Sequence, residues 1–320
     1  MTTYILRRVI QSVIVITITT LILFLINRIM PGDPILAYIS SDDYVRITST
    51  EQMDAMRVKY GLDKPLIVQY YQWIERIALH GDFGRSIFWD TTVLQEIKRA
   101  LPISLVFGAI SWVISHTIGI LLGTMTAIRR GKWADTLITT VGNLMITIPG
   151  FWAAILLIYV FGLWLNWLPI QGWVAPWDDF WGSWKYMVMP LFCVAIMPAG
   201  GSIRQTRSTM LEVIRQDYVR TAWAKGLSER RIIFYHVLKN GLLPVVTLIG
   251  MSIPQIFGGQ ILIETIFNIP GMGRLATAAT FAFDYNIMQG LSLIMCSVVV
   301  VSNLVVDVLY GWLDPRIHYE

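Results

Sequence analysis

Asp217–Pro244 reads DYVRTAWAKGLSERRIIFYHVLKNGLLP and carries Arg220, Lys225, Arg230, Arg231 and Lys239. Long apolar runs flank it on both sides. A Lys/Arg cluster between apolar runs marks the cytoplasmic side of a membrane protein. Two readings stand for this stretch. Either a soluble cytoplasmic partner grips it, or it is a solvated basic loop that only sets topology. Met210 or Leu211, Ile214, Tyr218 and Ala222 fall on one helical face running into it. That pattern predicts that the preceding span continues as an amphipathic helix. Ala222 and Ala224 are small enough to let another backbone approach. Gly226 suits the left-handed turn that ends a helix, and Ser228 is placed to cap a second short helix to about Lys239. The result is a helix–glycine–helix elbow joined to the spans on either side.

Working outward, the 320 residues are 55% hydrophobic and 14% charged, with a mean hydropathy of +0.58. Soluble chains carry nearer ~25% charged residues. The fold class is therefore an all-α polytopic membrane protein. The net charge of +4 is no sign of nucleic-acid binding, because the basic residues are sorted by side of the membrane. Cys193 and Cys296 lie inside apolar runs at no metal-ligand or disulfide spacing and read as buried structural thiols.

Six spans are predicted. The first is roughly Val9–Ile29, held inside at its start by Arg7 and Arg8. No small-residue cleavage site follows it, so it reads as a retained span. The second is about Leu101–Ala127, with a GxxxG face at Gly119 and Gly123 and a lone His116 that is either a hydrogen-bonded core residue or a ligand. The third, about Thr136–Leu165, is kinked at Pro149-Gly150. The fourth is about Met187–Ile203, the fifth Gly241–Ile263 and the sixth Ile287–Trp312. Asn303 and Asp307 share a face of the sixth, as pathway residues or as structural hydrogen-bonding glue facing the bundle interior.

Arg28–Arg99 holds nine Lys/Arg and ten Asp/Glu, a mixed-charge region expected outside the membrane. Ser49 with Gln52 forms a capping box for a helix ended by Gly61. Pro65 opens a second helix to about Ala78, Gly81–Gly84 turn, and Thr92 with Gln95 opens a further short helix. The region is either a small cap at a pore mouth or a passive loop. Six tryptophans between Trp164 and Trp184 read as an outer loop at the lipid interface, or else an aromatic ligand platform. Cytoplasmic segments then hold fourteen Lys/Arg, against only Lys185 and Arg274 in the remaining outer loops, which puts both termini inside.

No nucleophile elbow, HExxH, CxxC pair or phosphate-binding loop occurs, so no catalytic or metal residues are assigned and the chain is not expected to hydrolyse ATP. An autonomous channel or secondary transporter is disfavoured by the lack of an inverted repeat or a set of ion-coupling acids.

At DYVRTAWAKGLSERR and HVLKNGLLP the chain resembles the EAA loop of ABC-importer permeases of the dipeptide/oligopeptide/nickel family. PGDP at 31–34, YGLDKPL at 60–66, GDFGRS at 81–86, TRSTMLEV at 206–213, ETIFNIPGMGRL at 264–275 and NLVVDVLYGWLDPRI at 303–317 extend the resemblance along nearly the whole chain. The resemblance implies a type I ABC importer permease fold in three parts: an N-terminal helix (1–30), an extracytoplasmic region (31–100), and a five-helix core (101–320) with a coupling loop at about 204–240. It further implies that Tyr218, Thr221, Ala222, Trp223, Ala224, Lys225, Gly226 and Leu227 contact an ATPase. A homologous second permease, two cytoplasmic ATPase subunits and an extracytoplasmic substrate-binding protein would be the partners, with ATP and Mg bound by the ATPases and no cofactor by this chain. The setting would be a prokaryotic cell membrane, and the cargo peptides, or alternatively nickel chelates or oligosaccharides. Trp223 stands where the family has Arg, and Gly241 where it has Ala.

Overall fold

The computed structural model describes residues 2–29, 50–59, 61–257 and 260–313. Among the described residues, five helices are long and apolar enough to cross a membrane, and a sharply bent pair makes six if counted as one crossing. The all-helical, multi-span expectation therefore holds. The chain divides into two compact units, one built from Met1–Ser104, Phe257–Ile261 and Pro270–Glu320, the other from Leu105–Ile256 and Leu262–Ile269.

In the first unit, α1 (Thr2–Ile29) packs along α12 (Tyr285–Leu313). Next come α2 (Thr50–Lys59) and α3 (Leu66–His80). Gly61 and Gly81 follow these two helices at φ +65° and +63°, the left-handed conformation that an L side chain resists. Ser49 of the expected capping box lies outside the described residues. Thr92 does accept from the Gln95 amide (3.3 Å). It opens not a short helix but α4 (Val93–Ile128), which runs through Pro102 without a break. The expected short helix and the span predicted from Leu101 are one element. Pro102 forfeits one backbone hydrogen bond. Burial of Val93, Ile97 and Ala100 against Met272, Ala279, Ile287 and Leu291, from α11 (Met272–Phe281) and α12, outweighs that loss.

Asp284 holds this unit's loops in place. It is fully buried and accepts from the Ser86 hydroxyl and from the backbone amides of Ile87 (2.9 Å), Phe88 (3.1 Å) and, at the start of α12, Ile287 (3.1 Å). One carboxylate thus ties the GDFGRS turn to the N-terminus of α12. Asp284→Ala is expected to cost about 3 kcal/mol, since several buried donors lose their shared acceptor together. Thermal unfolding of the purified chain in detergent measures it, and an unchanged melting temperature would refute the clamp.

In the second unit the remainder of α4 packs on α7 (Phe180–Ile214). A methyl group at Gly119 would collide with the Cβ of Ser202. One at Gly123 would lie 2.6 Å from the Thr206 Cβ and 2.8 Å from the Ile203 carbonyl. The GxxxG face is a true helix–helix contact. One turn earlier, His116 Nδ1 pairs with Ser202 Oγ (2.8 Å) and Nε2 with Ser252 Oγ (3.0 Å), while Trp112 Nε1 donates to the same Ser252 oxygen (2.8 Å). Of its two readings, the core one fits: this histidine joins three helices by hydrogen bonds.

The third span is broken rather than kinked. α5 (Trp133–Thr147) and the segment Gly150–Trp164 meet at 101°. Ile148 is extended (φ −81°, ψ 118°), as a residue before proline prefers, and a Cβ on Gly150 would lie 3.0 Å from the Cys193 carbonyl. The second arm is α6 (Gly150–Leu157) followed by a π-helical turn, Ile158–Trp164. Beyond it, Trp164, Trp167, Trp177 and Trp181 stand exposed, and Asp179 caps α7 by accepting from the Gly182 amide (2.9 Å). Cys193 is buried, but Cys296 is only half-buried. Asn303 is exposed in this chain instead of turned into the bundle, and the side chain of Asp307 lies outside the described residues.

Candidate functional site

The amphipathic helix expected to continue through the elbow is interrupted. α7 stops at Ile214, Gln216 is extended (φ −69°, ψ 147°), and α8 (Asp217–Ala224) starts afresh. The chain then turns at Gly226, whose φ is +72°. The Gly226 amide bonds the Trp223 carbonyl (2.9 Å) and the Leu227 amide reaches the Ala222 carbonyl (3.4 Å), closing the helix end. Ser228 sits at the start of the next helix without a side-chain cap bond. That helix does not end near Lys239. It belongs to α9 (Glu229–Ile256), the fifth apolar span, which begins with one α-turn and a π-helical turn, Ile232–Leu238. The elbow's second arm and the span are one continuous element, and π turns of this kind escape a reading based on a 3.6-residue period.

The elbow has an inner and an outer face. Val219 and Ala222 are buried with Ala127 at the end of α4, Met210 near the end of α7, and Ile232 and Val237 of α9. Leu227 packs against the same cluster. Tyr218 is held from the side by Asn240, whose amide donates to its hydroxyl (3.0 Å) and to the His236 carbonyl (2.9 Å). Ala222 is therefore small because it packs inward, and not because a partner must approach it. Thr221, Trp223, Ala224, Lys225 and Gly226 are exposed on the other side. Trp223 is 47% exposed and has no place in the cluster. A Cβ on Gly226 would meet nothing within 4 Å.

The second departure from the family pattern has a local cause. A methyl group at Gly241 would lie 2.8 Å from the sulfur of the fully buried Met210. The thioether occupies the space an alanine would fill, so glycine and methionine are matched here.

Beside the elbow lies a partly buried ion pair that no spacing in the sequence revealed. Arg207 Nε donates to Asp135 Oδ1 (2.8 Å) and Arg207 Nη2 to Oδ2 (2.9 Å), a bidentate fork. The same carboxylate accepts from the Gly131 amide (3.0 Å) and the Thr139 hydroxyl (3.2 Å). It fixes the Arg129–Lys132 turn and joins α5 to α7. Arg207 lines an open cavity of about 630 Å³ with Asn143, Arg204, Glu212 and Arg215. Nothing in this arrangement pairs a nucleophile with a base. It couples helices.

Fold and elbow together define a polytopic α-helical membrane protein with a structured polar elbow fastened to three of its long helices. The chain belongs to the binding-protein-dependent transport system inner membrane component family, matched over residues 119–319, with that system's N-terminal membrane-component region matched over residues 1–107. It is 37% identical over 320 residues, covering both chains fully, to a Brucella suis biovar 1 protein named as a peptide transport system permease. It is likewise 37% identical over 322 residues, again covering both fully, to the oligopeptide transport system permease protein AppB of Bacillus subtilis. A Brucella ovis protein named as a peptide permease is 38% identical over 317 residues, 98% of each chain. The protein is thus a multi-pass membrane component of a transport system and a non-catalytic permease subunit.

Proposed function

We propose that the chain forms half of the translocation pore of an ATP-driven peptide importer. A second, homologous permease supplies the other half. Two cytoplasmic ATPase subunits, which bind ATP and Mg, grip the two elbows. An extracytoplasmic binding protein delivers the peptide to the opposite face, and both termini of this chain lie in the cytoplasm. The names of full-length relatives support peptides as cargo. The observation that carries the mechanical reading is the inner face of α8, packed on α4, α7 and α9 at once. A close-packed contact of this kind transmits displacement because its side chains have no room to yield. Closure of the ATPase pair on ATP would push α8, and three spans would move with it.

Two experiments test this. Thermal-shift screening of the cognate binding protein with peptides, sugars and nickel chelates is expected to give a shift with peptides. Stabilisation by a sugar or a chelate alone would overturn the cargo. For the docking face, Trp223→Arg restores the family residue at a site 47% exposed and outside the cluster, so uptake within about twofold of wild type is expected. Complete loss of uptake would mean that Trp223 itself fills a partner pocket.

A further inference from the structure

Within the first unit a second cavity, of about 610 Å³, lies where α1 ends and α12 begins, roofed by α3 and the Gly81–Arg85 turn. Its walls hold polar atoms that no other described residue matches. Trp73 and Gln289 are 4% and 2% exposed, yet Trp73 Nε1 and Gln289 Nε2 have no hydrogen-bond acceptor among the described residues. Arg28 Nε has none either, and Gln69, 8% exposed, leaves its Oε1 without a donor. Buried donors without acceptors are rare and costly, so an accepting group is expected among them. The guanidinium of Arg28 is held over the rings of Phe24 (5.3 Å) and Tyr285 (5.0 Å), which fixes it in place while its Nε stays available. Arg28, Lys64, Arg76 and Arg85 outnumber Glu75 and Asp82 around the cavity.

We infer that this cavity binds the phosphate of a phospholipid headgroup. Two unmatched donors beside a fixed cation with a free Nε–H of its own call for an oxyanion. The place suits a lipid: the cavity lies at the end of one apolar span and the start of another. Directly before Arg28 on α1, Leu21, Ile22, Leu25 and Ile26 are exposed along the helix, an apolar track for acyl chains. Gln69 Oε1 is left to accept from a headgroup hydroxyl or ammonium. The inference does not depend on which side of the membrane this end faces, nor on the cargo.

The test is native mass spectrometry of the full chain purified in neutral detergent with added phosphatidylglycerol. One lipid per chain is expected to be retained. Arg28→Gln is expected to weaken retention about tenfold and Trp73→Phe, which keeps the ring and removes the donor, several-fold, the scale of one charge-assisted and one neutral hydrogen bond. Diacylglycerol, which lacks phosphate, is expected not to be held. If Arg28→Gln fails to fold, Trp73→Phe decides alone. The inference is overturned if no lipid is retained, if both variants hold it as wild type does, or if diacylglycerol binds equally. It is also overturned if a tripeptide with a free carboxylate displaces the lipid while its amide does not, because the oxyanion is then a carboxylate ligand's.

Discussion

Arg207→Ala is expected to lower the stability of the chain by about 3 kcal/mol, the scale found when one partner of a buried pair is removed. The Asp135 side chain is 7% exposed and would be left with only the Gly131 amide and the Thr139 hydroxyl as donors. The effect should be asymmetric. The Arg207 side chain is 28% exposed and reaches the open cavity, so in Asp135→Asn the guanidinium can recover water and the loss should be nearer ~1–2 kcal/mol. Arg207→Lys keeps the charge but not the fork and should fall between these. The double variant Asp135→Asn/Arg207→Gln should be less damaged than the sum of the single changes, with a coupling above ~1 kcal/mol from thermal unfolding in detergent. A coupling near zero would mean that the two residues act separately. Because the pair joins α5 to α7 next to the elbow, uptake should fall in Arg207→Ala even where the chain still inserts.

Gly226→Asp is expected to abolish transport and to weaken co-purification with the ATPase subunits at least tenfold, with membrane insertion intact. The turn alone cannot account for such a loss. At φ +72° an alanine costs about 1 kcal/mol, whereas Asn and Asp tolerate the left-handed region with less strain. Nothing among the described residues lies within 4 Å of the added Cβ, so a folding defect is not expected from any of the three. Gly226→Asn is the informative control. It keeps the turn and adds bulk without charge, so loss of ATPase association in Asn and Asp alike assigns the clash to a partner surface. Loss in Asp alone assigns it to the buried carboxylate. If both variants retain full ATPase association and normal uptake, docking at Gly226 is wrong.

Several features were legible before any coordinates. The apolar spans follow from length and charge depletion, which hydrocarbon solvation demands of any sequence. Gly61, Gly81 and Gly226 were legible as left-handed turns because only glycine adopts that conformation freely. Local rules reached less far where two preferences compete. Pro102 breaks no helix because its neighbours are buried in a core, whereas Pro149, with Ile148 extended before it, turns the chain by 101°. Both are prolines in apolar runs; Pro149, followed by Gly150, was legible as a kink, but not as a break of this size.

In Asp217–Pro244 the sequence by itself determined the polar character, the glycine turn and the membership of a permease family, because each is set by residue type or by an ordered motif. Only the tertiary structure decided which face of the elbow is which. Ala222 and Ala224 are identical in chemistry and two positions apart, yet one is buried against α4, α7 and α9 and the other is exposed. The same holds for Asp135 with Arg207, 72 positions apart, and for Ser86 with Asp284, 198 apart. A carboxylate's partner at that distance is chosen by how helices pack. Packing is a sum of many weak contacts, and no single stretch of sequence records it.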